Sequence, residues 1–319
     1  MIKASAPGKL MLFGEHAVVY NKPCIVAAVD HRIGVSLEKR EDRKIILNAP
    51  DINFKNYVAL IDDLAKSHPK KVRFVLTSVF NFFEKYKIKS GLDIETKSEF
   101  SDRIGLGSSS AVVVSTIKAL SELFEIEVGK KEIFDLAYKT VLDIQGVGSG
   151  FDVAAAIYGG FLLFVKGGKT IKSIKTEKIP LVVGYTGIKA DTSTLVKRVS
   201  ERLKENPKSI NKIFEEIEGI VNLAEIEMEN QNWEKIGKLM NLNQDLLRNL
   251  EISSKELENL IRAALKSGAY GAKLSGAGGG DCMIAVTCKE EQDRVKKEIE
   301  RVGGKIIEVK IPAKGVRVG

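Results

Sequence analysis

The chain is 319 residues long, 44% hydrophobic and 29% charged, enough for two domains or one large one around a sizeable core, which excludes intrinsic disorder. Its three cysteines, Cys24, Cys282 and Cys288, form no CxxC pair and no cysteine–histidine cluster, so neither a disulfide framework nor a structural zinc is indicated and a reducing cytoplasm is expected. The net charge of +8 comes from Lys and Arg interleaved with acids, as across 38–44 and 290–301, which points to solvated faces rather than a nucleic-acid surface.

Taken in order, the N-terminus has no apolar signal core. Apolar runs such as 24–29 and 161–165 are far too short to span a bilayer, so a soluble protein is expected. Alternation and β-branched content predict strands over 10–13, 24–29, 33–38, 44–48 and 91–96. Helical spacing follows over 72–86, 109–123 and 131–142. Strands return over 161–165, 170–174 and 181–185, with Gly167-Gly168 as a hairpin turn. From 192 to 267 the pattern is amphipathic helix, broken at Asn206-Pro207, at 230–232 and at 252–254. Strands then come back over 270–274, 282–286 and 305–309, with a helix over 290–302. A domain boundary is expected near residue 180, giving units 1–180 and 181–319.

Three glycine-rich segments lie far apart in this frame: Pro7-Gly8-Lys9 with Gly14-Glu15-His16, then Gly105-Leu106-Gly107-Ser108-Ser109-Ser110, then Gly276-Ala277-Gly278-Gly279-Gly280-Asp281. The middle one runs straight into a helix. A helix start presents unpaired N–H groups and partial positive charge, and glycines let the backbone approach phosphate oxygens. A serine N-cap after a turn would account for one serine and one glycine and leave the rest unexplained. The chain has no GxxxxGK[ST] loop and no HRD or DFG, and its middle segment lacks the third glycine of a dinucleotide fingerprint.

The segments 5–20, 105–111 and 273–280 stand in the order of the three motifs of the GHMP small-molecule kinases, and the whole chain resembles that family. The resemblance implies an α+β chain of two α/β domains. These are an N-terminal ribosomal-protein-S5-like domain with a left-handed βαβ unit and a C-terminal ferredoxin-like domain, with the active site between them. It implies ATP and Mg²⁺ as cofactor and metal, Asp152 in Gly148-Ser149-Gly150-Phe151-Asp152 as the catalytic base, and Lys9 as the cation beside it and the transferring phosphate. Gly105, Leu106, Gly107, Ser108, Ser109, Ser110, Gly276, Ala277 and Gly278 would hold the nucleotide, with Ser108 also a metal ligand. Glu15 and His16 would meet the acceptor, with Tyr158, Thr186 and Lys189 as further candidates on that side.

Phe13-Gly14-Glu15-His16-Ala17-Val18-Val19-Tyr20 is most similar to the mevalonate kinases of the family, which implies phosphorylation of the 5-hydroxyl of mevalonate in isoprenoid biosynthesis. The stretches 145–156 and Gly280-Asp281-Cys282 resemble the phosphomevalonate kinases instead, so transfer to 5-phosphomevalonate stays open, with Arg103, Lys189 and Arg198 as candidates for the extra positive charge that acceptor needs. A ligand-binding relative without turnover is the third alternative. The family's metal-binding glutamate falls at Val141 here, and Asp143 is the acid nearest to replacing it. The expected partners are the small-molecule acceptor and, from the family, a second copy in a homodimer, with no nucleic acid and no membrane.

Overall fold

A computed structural model describes residues 1–100, 104–176 and 178–319. Twelve strands are found among them: β1 (Ile2–Phe13), β2 (Pro23–Arg40), β3 (Lys44–Ala49), β4 (Phe54–Leu60), β5 (Gly91–Ser98), β6 (Phe161–Val165), β7 (Thr170–Ser173), β8 (Leu181–Tyr185), β9 (Gly271–Ser275), β10 (Cys282–Val286), β11 (Lys305–Ile306) and β12 (Arg317–Val318). The α-helices are α1 (Lys70–Tyr86), α2 (Ser108–Leu123), α3 (Lys130–Gln145), α4 (Phe151–Tyr158), α5 (Thr192–Glu205), α6 (Pro207–Glu229), α7 (Trp233–Asn249), α8 (Lys255–Lys266) and α9 (Gln292–Arg301).

An eight-stranded sheet runs β12-β1-β2-β5-β3-β4, with β6 paired to β2 and β7 to β6. Its spine is β2, which reads in the sequence as two strands and is one. Pro7 pairs with Arg32 and Gly8 with Val29, so Asp30 and His31 are extra residues in a bulge where the hydrophobic alternation lapses. The bulge separates two partnerships: residues 23–27 of β2 pair with β6 and residues 33–40 with β5. Helices α2 and α4 pack on β1 and β2, α1 and α3 pack on α2, and Phe13, Phe82, Phe134, Phe161 and Phe164 are fully buried in this core. Strand β4 carries no sequence signal strong enough to stand out, since Lys55 and Asn56 interrupt its apolar residues at the sheet edge.

The second sheet has the order β11-β8-β10-β9 and is antiparallel throughout. With α5 to α8 between β8 and β9, and α9 between β10 and β11, it is a β-α-β-β-α-β arrangement of the ferredoxin-like kind. The chain leaves the first sheet after β7 and enters the second at β8, on either side of residue 180. Breaks at 206–207, 230–232 and 252–254 separate the helices because each carries a cap: Pro207 stands at a helix start, and Asn232 and Ser254 accept from Lys235 N–H and Leu257 N–H.

The last residues return to the first sheet. Strand β12 pairs with β1, Gly159 bridges to Lys314, and the buried side chain of Arg32 ties the segment down. It donates to Lys314 O at 2.8 Å, Gly315 O at 2.9 Å, Ser5 O at 2.7 Å and Ser5 Oγ at 3.0 Å. Burial and the neighbouring Arg317 lower its pKa to about 10. Deleting residues 314–319 removes two acceptors from a charged donor and should lower stability by about 3 kcal/mol, read as a lower urea midpoint.

Candidate functional site

The three glycine segments converge, and specific bonds hold them together. Strand β1 delivers Lys9 to the loop before α2, where its N–H donates to Leu106 O at 2.8 Å and its Nζ to Gly105 O at 2.9 Å. Gly8 permits that approach, because a Cβ there would lie 2.8 Å from Leu106 O. The ammonium also stands 5.4 Å from the centroid of the Phe151 ring, next to Asp152 in the chain. Helix α2 starts at Ser108 with Gly107 at its N-cap, in the left-handed region at φ 79° and with no side-chain cap. The serines thus lie inside the first turn, and no side chain caps the backbone N–H groups there, the condition under which a helix start can receive an anion.

Asp152 lies in the first turn of α4, which follows Gly150 at φ 92°. Its Oδ2 accepts from Ser110 Oγ at 2.6 Å and its Oδ1 from Val153 N–H at 3.0 Å. The Ser110 bond couples the start of α2 to the start of α4, so the carboxylate lies between two helix N-termini. The Asp152 charge is also felt by its neighbours: after burial, it is the second cause raising the pKa of Tyr138.

The third segment closes the arrangement from the other sheet. Ser275 Oγ donates to Met11 O at 2.9 Å and accepts from Met11 N–H at 3.1 Å, satisfying β1 where its pairing with β2 is irregular. Cys282 Sγ donates to Ile104 O at 3.1 Å. Gly276 sits at φ 105° with open space where a Cβ would be, the kind of gap that lets backbone approach a ligand. Glu15 and Lys273 form an ion pair with both side chains at zero exposure. Lys273 Nζ also donates to Leu274 O at 2.6 Å, and among the described residues Glu15 Oε2 has no hydrogen-bond partner within bonding distance. Burial raises the Glu15 pKa and lowers that of Lys273.

His16, at φ 59°, donates from Nε2 to Ala277 O at 2.9 Å. Glu15 and His16 are therefore engaged in joining the first segment to the third, buried beneath it instead of being presented to an acceptor. Burial lowers the His16 pKa. The unfolded chain takes up a proton there near about pH 6.5 and the folded one does not, so this contribution to stability is full above that pH and is lost as pH falls toward the lower folded value. Denaturant midpoints at about pH 7.5 and 5.5 should differ less for His16→Asn than for the parent chain, Asn being tolerant of positive φ.

Of the acceptor-side candidates, Thr186 and Lys189 come to the site. Thr186 Oγ1 donates to Asp281 O at 3.1 Å, and Lys189 is one of the charges acting on Asp281, whose carboxylate packs against Gly105. Tyr158 does not: it ends α4, six residues from Asp152 and so about 9 Å along the axis, with Lys130 over its ring. Asp143 is bonded to Lys139 Nζ at 2.6 Å and Asn81 Nδ2 at 2.9 Å, which directs it to the seam of α1 and α3. Arg198 pairs with Glu251 at 2.6 Å, and Arg103 lies outside the described residues.

Sequence reasoning missed Lys273 and Ser275 as partners of the first segment. Their signal was there: they are two apart on a strand, hence on one face, and both are polar in an otherwise apolar run. Among the described residues no group of three or more His, Cys, Asp or Glu is arranged to hold a metal. The hydroxyl of Ser108 in the first turn of α2 fits a cation carried in by a nucleotide, which needs one or two protein oxygens.

The chain matches the family model for the GHMP kinases N terminal domain over residues 73–160 and that for the GHMP kinases C terminal over 222–305. It is 37% identical to the mevalonate kinase of Thermococcus sibiricus over 99% of this chain and 98% of that one. Identity to the Pyrococcus furiosus mevalonate kinase is 36%, over 99% and 97%. The crystal structure of the Methanococcus jannaschii mevalonate kinase superposes with a TM-score of 0.84 at 29% identity, covering 98% of each chain.

Proposed function

The chain belongs to the GHMP kinase family, and from that premise we propose that it is an ATP-dependent kinase that phosphorylates the 5-hydroxyl of mevalonate, giving 5-phosphomevalonate for isoprenoid biosynthesis. The observation that carries the reading is the Ser110–Asp152 bond at the head of α4, with Lys9 held to Gly105 O and beside the ring of Phe151, the neighbour of Asp152 in the chain. Phosphoryl transfer to an alcohol asks for positioning, charge neutralisation and removal of one proton. In this reading Asp152 takes the proton of the acceptor hydroxyl, and Ser110 orients the carboxylate by its bond to Oδ2. Lys9 offsets the charge that develops on the transferring group. The first-turn N–H groups of α2, with the backbone at Gly276, Ala277 and Gly278, receive the phosphates of the nucleotide. Mg²⁺ would enter with ATP, held on the protein side by Ser108, and would supply charge neutralisation of the phosphate oxygens.

The choice of mevalonate over 5-phosphomevalonate is supported by the full-length relatives that carry the name mevalonate kinase. Thr186 and Lys189 are the acceptor-side groups of this reading. A cytoplasmic location and a homodimer belong to it as well, and the described residues include no helix long and apolar enough to cross a membrane. ADP release from Mg-ATP, measured with each acceptor separately, tests the reading. Preference for mevalonate is expected, and preference for 5-phosphomevalonate would transfer the function to the next phosphorylation.

A further inference from the structure

Asp281 ends a run of three glycines, yet it is itself in the left-handed region, at φ 54°, where glycine would be unstrained. The position therefore keeps a side chain at some cost, and the surroundings of that side chain suggest why. Its backbone already faces the segment after β8: Asp281 N–H donates to Ile188 O at 2.7 Å, and its carbonyl accepts from Thr186 N–H at 3.0 Å. The carboxylate adds a bond that the backbone cannot make, with Oδ1 accepting from Ala190 N–H at 3.1 Å. Oδ2 lies over the phosphate loop, so close that a Cβ on Gly105 would fall 2.7 Å from it. The charges of Lys9 and Lys189 both act on this carboxylate.

We propose that Asp281 is a positioning residue whose carboxylate fixes the segment 186–190, and with it Thr186 and Lys189, against the phosphate loop at Gly105. The consequence for turnover rests on the kinase reading above, whereas the consequence for the segment does not. Two substitutions separate the carboxylate's bond from everything else. Asn tolerates positive φ and keeps an oxygen that can accept from Ala190 N–H, while Gly relieves the backbone and removes the acceptor.

The experiment is hydrogen exchange at the Ala190 amide in the nucleotide-free full chain, for the parent, Asp281→Asn and Asp281→Gly, with steady-state kinetics on the same samples. Exchange about tenfold faster in Asp281→Gly, with Asp281→Asn close to the parent, is expected. In the kinetics, the mevalonate KM of Asp281→Gly should rise about tenfold while its ATP KM stays within about twofold. Unchanged exchange in Asp281→Gly overturns the proposal, as does Asp281→Asn exchanging as fast as Asp281→Gly. A parent chain that leaves mevalonate untouched would sink the kinase reading, and the exchange result would still decide the role of Asp281.

Discussion

Asp152→Asn lowers kcat by about two to three orders of magnitude and leaves ATP affinity within about twofold, the pattern for a positioned base that holds no part of the nucleotide. The substitution is close to isosteric. The amide oxygen can take the place of Oδ1 and accept from Val153 N–H, while the amide NH2 takes the place of Oδ2 and donates to Ser110 Oγ, whose hydroxyl turns from donor to acceptor, so the heads of α2 and α4 stay joined. What is removed is the ability to take a proton from the acceptor hydroxyl. A companion variant, Ser110→Ala, should lose less, about tenfold, because it frees the orientation of a base that remains present. Titration of ATP binding beside steady-state turnover checks both, and an Asp152→Asn protein with parental kcat removes Asp152 from the mechanism.

Lys273→Met destabilises the fold by about 3–5 kcal/mol, because it leaves the fully buried carboxylate of Glu15 without its counter-charge. The pair is isolated from solvent on both sides, and burial pushes each group toward its neutral form, so the charges are sustained by one another. The double variant Glu15→Gln with Lys273→Met removes both charges and should recover most of the loss. Urea unfolding of the parent, the two single variants and the double variant measures the coupling. Additive losses would mean that the pair does not act as a unit. Since Glu15 belongs to the first glycine segment and Lys273 precedes the third, the single variant should also raise the ATP KM.

Much of this site is legible in the sequence because its parts are local. A glycine that must approach backbone, a lysine between glycine and leucine on a strand, and serines at a helix start all announce themselves within a few residues. Asp152 is legible for the same reason, two places after a glycine that starts a helix. What the sequence conceals is pairing across distance. Glu15 and His16 read as acceptor contacts, and the structure turns them inward because Lys273 and Ala277, more than 250 positions away, supply their partners. Asp143 reads as a stand-in for the missing glutamate at Val141, but Lys139, one turn earlier on α3, and Asn81 on α1 claim its carboxylate. The fold divides the same way. Helix breaks carry their own caps and are found where the sequence places them, whereas the bulge that unites the two halves of β2 depends on register with β1. The return of the last residues to Arg32 depends on acceptors at the far end of the chain.

The most direct measurement of the central claim is ³¹P NMR of the purified chain incubated with Mg-ATP and mevalonate. The account predicts a new phosphomonoester resonance coupled to the C5 methylene protons, growing in step with ADP and absent from the Asp152→Asn sample. Inorganic phosphate as the only new product, or no consumption of ATP until 5-phosphomevalonate is supplied, would contradict it.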